Sequence, residues 1–187
     1  MLTSILITDF NTAFCASQSH CPQTAWISAV DPSYYKKTQE MQHNFSSKNI
    51  PHLTQYFYDW MEEDNDIFIL RHLEEKGPRT DNIHRILSFL LPLVHSKKPH
   101  ALGINCVSGI SRSSAIGLIA WVLQGKSPQA ALQKVLTINP HALPNLRILR
   151  LASPLLNKDL LEALTAYEAP QNKRFSSWQD LISQKST

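Results

Sequence analysis

The sequence predicts an α/β fold in which a central, mostly parallel sheet of four to five strands is covered by helices on both faces. Three observations carry this. Short β-rich runs alternate with helical patterns, in the order β-α-β and then β-α-β-α-α-α, along the 187 residues; crossover helices join parallel strands in this way. Residues 101–105 (ALGIN) form the short apolar run expected of a strand covered on both sides. Just before it, Ile83, Ile86, Leu87, Leu90, Leu91 and Val94 repeat at helical spacing.

The elements follow in order. Residues 4–8 (SILIT) read as a strand and residues 11–19 as a helix. Residues 25–30 (AWISAV) are a second strand, closed by Asp31-Pro32-Ser33. Residues 33–50 are polar and read as a helix with a loop. Residues 52–58 (HLTQYFY) combine aromatic and β-branched side chains, as a third strand should. An acidic loop spans residues 62–66. The helix over 81–95 contains Pro92, placed to bend its last turn, and Asp81 serves as its N-cap or first-turn charge. Pro99 interrupts the chain before the strand at 101–105. Residues 113–124 form an apolar helix closed by Gly125. Ser127-Pro128 opens the next helix, with serine as cap and proline at its first position, and further helices cover 145–156 and 158–167.

Composition bounds the function. Hydrophobic residues make up 43% and charged residues 18%, an ordinary globular balance with a core's worth of apolar side chains. The expectation is one domain over residues 1–169 and a tail over 170–187, whose SSWQDLI opens like a short capped helix able to dock through Trp178 and Leu181. A net charge of +3 suits an anionic substrate but falls short of a nucleic-acid footprint. No apolar run reaches membrane-spanning length, and the N-terminus lacks the basic and apolar regions of a signal peptide. Cys15, Cys21 and Cys106 suggest neither a disulfide framework nor a zinc knuckle, so a reduced, cytoplasmic setting is expected; delivery into a host cell is left open. The histidines show no HxxxH or HxH spacing, which argues against a metal site. Trp121 reads as core or interface.

The unusual stretch is residues 104–115, INCVSGISRSSA, in a chain with only five glycines. It lies between an apolar strand and an apolar helix, where backbone N–H groups and the positive end of a helix dipole converge. With Gly109 free to take a positive φ, the amides of Val107, Ser108, Gly109, Ile110, Ser111 and Arg112 can form an anion nest. Arg112 adds a planar fork suited to phosphate oxygens. The same field favours Cys106 as a thiolate, in line for attack on phosphorus.

CVSGISRS resembles the signature loop of the cysteine-based protein tyrosine phosphatases in their dual-specificity-like form, usually written HCxxGxxRS. More narrowly, ILIT, AWISAVDPS, HLTQYFYDW, CVSGISRS and PNLRILRLA resemble, in this order, the parts of a compact family of bacterial predicted tyrosine phosphatases. The resemblance implies a dual-specificity-phosphatase-like fold and a two-step reaction needing neither metal nor cofactor. Cys106 forms a phosphocysteine, Arg112 and the loop amides hold the phosphoryl oxygens, and Ser113 donates a hydrogen bond to the thiolate. A carboxylic acid protonates the leaving group; Asp59 in FYDW matches best, with Glu62, Glu63, Asp64 and Asp66 as alternatives. Asn145 reads as a helix cap, and its match to the family hints at support for the loop.

One departure is Asn105, which stands where the family nearly always has histidine; it forms hydrogen bonds but carries no charge, which implies lower activity. The stretch between Asp59 and Asp81 is longer than usual. It reads as a surface insertion in preference to a substrate-binding flap. The expected function is hydrolysis of phosphotyrosine, with phosphoserine and phosphothreonine as further substrates, in phosphorylated proteins or peptides, by a monomer. The alternative is an inactive phosphate-binding module. A rhodanese-like sulfur transferase is disfavoured, because its loop is shorter.

Overall fold

The computed structural model describes residues 2–19, 21–61 and 66–164. Its sheet has four strands: β1 (Leu2–Thr8), β2 (Ala25–Val30), β3 (His52–Tyr56) and β4 (His100–Asn105), in the order β1-β4-β2-β3. All three pairings are parallel. Among the described residues, seven α-helices accompany them: α1 (Phe10–Gln18), α2 (Tyr35–Ser47), α3 (Ile67–Lys76), α4 (Thr80–His95), α5 (Arg112–Leu123), α6 (Pro128–Ile138) and α7 (Leu146–Leu156), with a 3-10 turn at Pro32–Tyr34. None of the described helices is long and apolar enough to cross a membrane.

The period-2 pleat of β2 divides the core. Ala25, Ile27 and Ala29 face the larger apolar cluster built by α4, α5, α6 and α7. Trp26 and Val30 face the opposite side, against Phe10 and Ala13 of α1 and Met41 and Phe45 of α2. Within the polar residues 33–50, read as a helix with a loop, Tyr35–Ser47 form the amphipathic helix α2, with Thr38, Met41 and Phe45 as its buried stripe. Trp26 and Phe45 stack with ring centroids 5.1 Å apart, which adds about 1 kcal/mol to the area they bury. Trp121 is partly buried against the larger cluster.

Two local expectations change, at the third strand and at the helix after α7, while Asp81 takes the second of its two expected roles. The third strand stops at Tyr56, because Phe57 N still reaches Val30 O but Tyr58 N turns away to the carbonyl of Lys76, at the end of α3. Asp81 sits in the first turn of α4, while the capping falls to Asn82, whose Oδ1 accepts from Arg79 N at 2.9 Å. The helix expected from residue 158 begins later. Asn157 turns left-handed at φ 50° to end α7, and Asp159 accepts from Leu161 N and Glu162 N, so helical backbone starts at Glu162. The other helix boundaries agree within a few residues, with Ser127 capping α6 through Ala130 N and Gly125 following α5 at φ 86°. The tail, His20, Glu62, Glu63 and Asp64 lie outside the described residues.

Candidate active site

Parallel strands send all their C-terminal ends to one edge of the sheet, where α/β folds place their ligands. Here β1 runs into Asp9, β2 into Asp31, β3 into the turn bearing Asp59, and β4 into Cys106. Cys106 is fully buried at the floor of the loop that leads into α5.

The loop's shape follows from where its carbonyls are held. Val107 O accepts from Phe10 N at 3.1 Å, Ile110 O from Leu143 N at 3.0 Å, and Ser111 O from Asn145 N at 3.3 Å and Ala115 N at 3.0 Å. Gly109 O accepts from Asn139 Nδ2 at 2.9 Å. In a trans peptide the following N–H points the opposite way. With these carbonyls turned outward, the N–H groups of Ser108, Ile110, Ser111 and Arg112 turn inward. Gly109 N itself donates to Cys106 Sγ at 3.2 Å, and Ser113 Oγ lies 3.2 Å from the same sulfur. Gly109 has φ 76°, and a Cβ on it would lie 2.7 Å from the backbone carbon of Thr8. Glycine is therefore required twice, by dihedral and by the close pass of the β1–α1 turn.

Arg112 is almost fully buried and aimed by two groups. Its Nη1 donates to Asp31 Oδ1 at 2.7 Å and to Phe57 O at 2.8 Å. Its Nε makes no hydrogen bond among the described residues and lies 3.6 Å from Asp59 Oδ2. A buried guanidinium N–H without an acceptor is costly, and an oxyanion at that edge would supply one. From sequence, Asp31 reads only as a strand terminator. Its position directly after a buried strand was the available signal, and its contact with Arg112 spans 81 residues of sequence.

Asp59 is drawn into the same cluster. Its Oδ1 accepts from Ser111 Oγ and from Asn145 Nδ2, each at 2.7 Å. Asn145 also caps α7 as expected, its Oδ1 accepting from Ile148 N at 3.0 Å, while its backbone N–H, not its side chain, meets the loop at Ser111 O. Asp66, an alternative acid, instead caps α3 by accepting from Phe68 N at 2.7 Å.

The stretch read as an insertion contains α3. Its far end is fixed by buried Arg147, which donates to Pro78 O and to Glu74 Oε1, each at 2.7 Å. Its near end carries rings: Tyr58 stacks on Trp60 at 4.8 Å, and Trp60 meets the edge of Phe68 at 6.1 Å. Ile67, Phe68 and Leu70 are exposed. Among the described residues, no group of three or more His, Cys, Asp or Glu side chains converges as a metal site would require.

The fold is matched by solved structures. The active form of Tk-PTP superposes with a TM-score of 0.55 at 14% identity, over 82% of this chain and 92% of that one. The chain has the dual-specificity-like protein tyrosine phosphatase fold. Two further phosphatase-fold structures agree. The Cydia pomonella PTP-2 phosphatase has a TM-score of 0.54 at 16% identity, covering 80% of this chain and 83% of its own. PTPMT1, solved in complex with PI(5)P, has a TM-score of 0.52 at 13% identity, covering 86% and 94%. No family model and no curated protein matches the chain.

Proposed function

We propose that the chain is a cysteine-dependent phosphatase that hydrolyses phosphotyrosine, and also phosphoserine or phosphothreonine, in proteins or peptides. The observation that carries this is the loop itself: outward-held carbonyls, inward amides, and Cys106 Sγ at their centre with Gly109 N and Ser113 Oγ each at 3.2 Å.

The reaction follows from these positions. Inward amides and the Nε edge of Arg112 hold the phosphoryl oxygens, while Asp31 fixes the other edge of the guanidinium. The thiolate of Cys106 attacks phosphorus, and the P–O bond to the leaving group breaks. That oxygen takes a proton from Asp59. Because Asp59 Oδ1 already accepts from Ser111 and Asn145, the transferable proton belongs on Oδ2, the oxygen beside Arg112 Nε. In the second step water attacks the phosphocysteine, Asp59 Oδ2 takes its proton, and inorganic phosphate leaves as Ser113 Oγ stabilises the departing sulfur.

The test is phosphate release from a phosphotyrosine peptide and its phosphoserine counterpart, with trapping of the cysteinyl phosphate by rapid acid quench. Release from the tyrosine peptide with a label retained on Cys106 supports the proposal. Anion binding without turnover would leave only a phosphate-binding module.

A further inference from the structure

Asn105 precedes the nucleophile and is fully buried. Its Oδ1 accepts from Trp26 Nε1 at 2.8 Å and from Ser28 Oγ at 2.7 Å. Indole nitrogen only donates, so the oxygen of the amide must face Trp26. Ser28 has one hydroxyl proton, and that proton is spent on Asn105. Ser28 Oγ must therefore accept from its other partner, His52 Nε2, at 2.8 Å. This leaves His52 protonated on Nε2 and bare on Nδ1, which is buried and without a partner among the described residues. The proton order is thus fixed along the whole chain: His52 Nε2–H to Ser28, Ser28 O–H to Asn105, Trp26 N–H to Asn105.

The surroundings keep that order. Phe45 of α2 meets the imidazole edge-on at 5.1 Å, and Thr54 Oγ1 of the same strand lies 3.5 Å from Nε2. Neither these groups nor Ser28 of β2 carries a charge. Burial pushes the imidazole down to about 4, so it stays neutral near neutral pH. Gly103 completes the set, because a Cβ there would collide with the Trp26 ring that lies across β4.

The geometry points to His52 as a positioning residue for the signature loop, holding the carbonyl oxygen of the Asn105 amide through Ser28. A neutral imidazole at 105 has one acceptor nitrogen and would meet two donors, Trp26 and Ser28, leaving one unsatisfied. Asn105 Oδ1 takes both donors at once, while Asn105 Nδ2 is buried without a hydrogen-bond partner among the described residues. The positioning role of His52 rests on the phosphatase reading only where turnover is the readout.

The experiment has two readouts. Long-range 1H–15N spectra of the full chain should show His52 as the neutral Nε2–H tautomer, unchanged from about pH 5.5 to 8. For turnover of p-nitrophenyl phosphate, His52→Leu should lower kcat about tenfold with little change in KM, since one buried donor is lost. Ser28→Ala should cost about the same, and the double variant no more, because both break one relay. His52→Gln, which keeps a donor near the Nε2 position, should recover most of the loss. Asn105→His should be impaired in the wild type and improved by adding Ser28→Ala.

An Nδ1–H tautomer, a titration near an ordinary histidine value, or additive losses from His52→Leu and Ser28→Ala would each overturn the inference. A wild type without turnover would sink the phosphatase reading alone. The tautomer, and the coupling of positions 28 and 52 in the tungstate-induced rise of melting temperature, would still decide the relay.

Discussion

The signature loop and the stretch around Asp59 meet at Arg112, and they are built by opposite means. The loop is shaped by backbone: its carbonyls are pinned by Phe10, Asn139, Leu143 and Asn145, and its sulfur is fully buried. The Asp59 stretch is held by side chains at a few points, Ser111 and Asn145 on the carboxylate and Arg147 beyond α3. Its neighbours Ile67 and Phe68 are at least half exposed. A backbone cradle suits a phosphoryl group common to every substrate, whereas a side-chain wall can differ from one substrate to the next.

The contrast can be broken first at the cradle. Gly109→Ala forces a positive-φ alanine into the Thr8 backbone and should lower kcat/KM by about a thousandfold, through loss of several oxyanion donors at once; phosphate should then no longer raise the melting temperature. On the side-chain half, Asp59→Asn should lower kcat about a hundredfold for poor leaving groups while anion binding persists. Equal losses of binding in both variants would erase the distinction.

Smaller effects sharpen it. His52 ties the sheet beneath the loop, and its value of about 4 lies below that of an unfolded histidine, near 6.5. Between these values the unfolded chain binds the extra proton. Stability from this group is therefore present in full above about pH 6.5, falls as pH drops toward 4, and is constant below that, an effect of at most about 3 kcal/mol. Urea titrations should show this slope in the wild type and its loss in His52→Gln. Asn145→Ala removes the cap of α7 and one tether of Asp59; it should cost about 1 kcal/mol of stability and lower kcat more than it raises KM. Trp60→Ala should be smallest, changing KM for aryl phosphates about two- to fivefold while tungstate binding is unaffected.

The same division explains what the sequence revealed. The loop was legible because its parts are local: an apolar strand, a glycine, an arginine and an apolar helix lie within a few turns of chain. The parallel α/β class also followed from alternation, but the strand order β1-β4-β2-β3 did not. By contrast, α3 gave no signal, because only Leu73 in it is buried while Ile67, Phe68 and Leu70 are exposed, which blurs the helical period. Asp31 and His52 were missed for another reason. Each acts on a residue far along the chain, through sheet neighbours that only the order β4-β2-β3 brings together. Asn105 was legible as a departure, but its hydrogen-bond partners, Trp26 and Ser28, lie on the adjacent strand.

The central claim is that Cys106 is a nucleophile in a working phosphate cradle. Hydrolysis of p-nitrophenyl phosphate without added metal, wild type beside Cys106→Ser between about pH 5 and 8, tests it most directly. The account predicts turnover in the wild type and none in the variant, with tungstate still stabilising both. Equal turnover in the two proteins, or none in either with no stabilisation by tungstate, would contradict it.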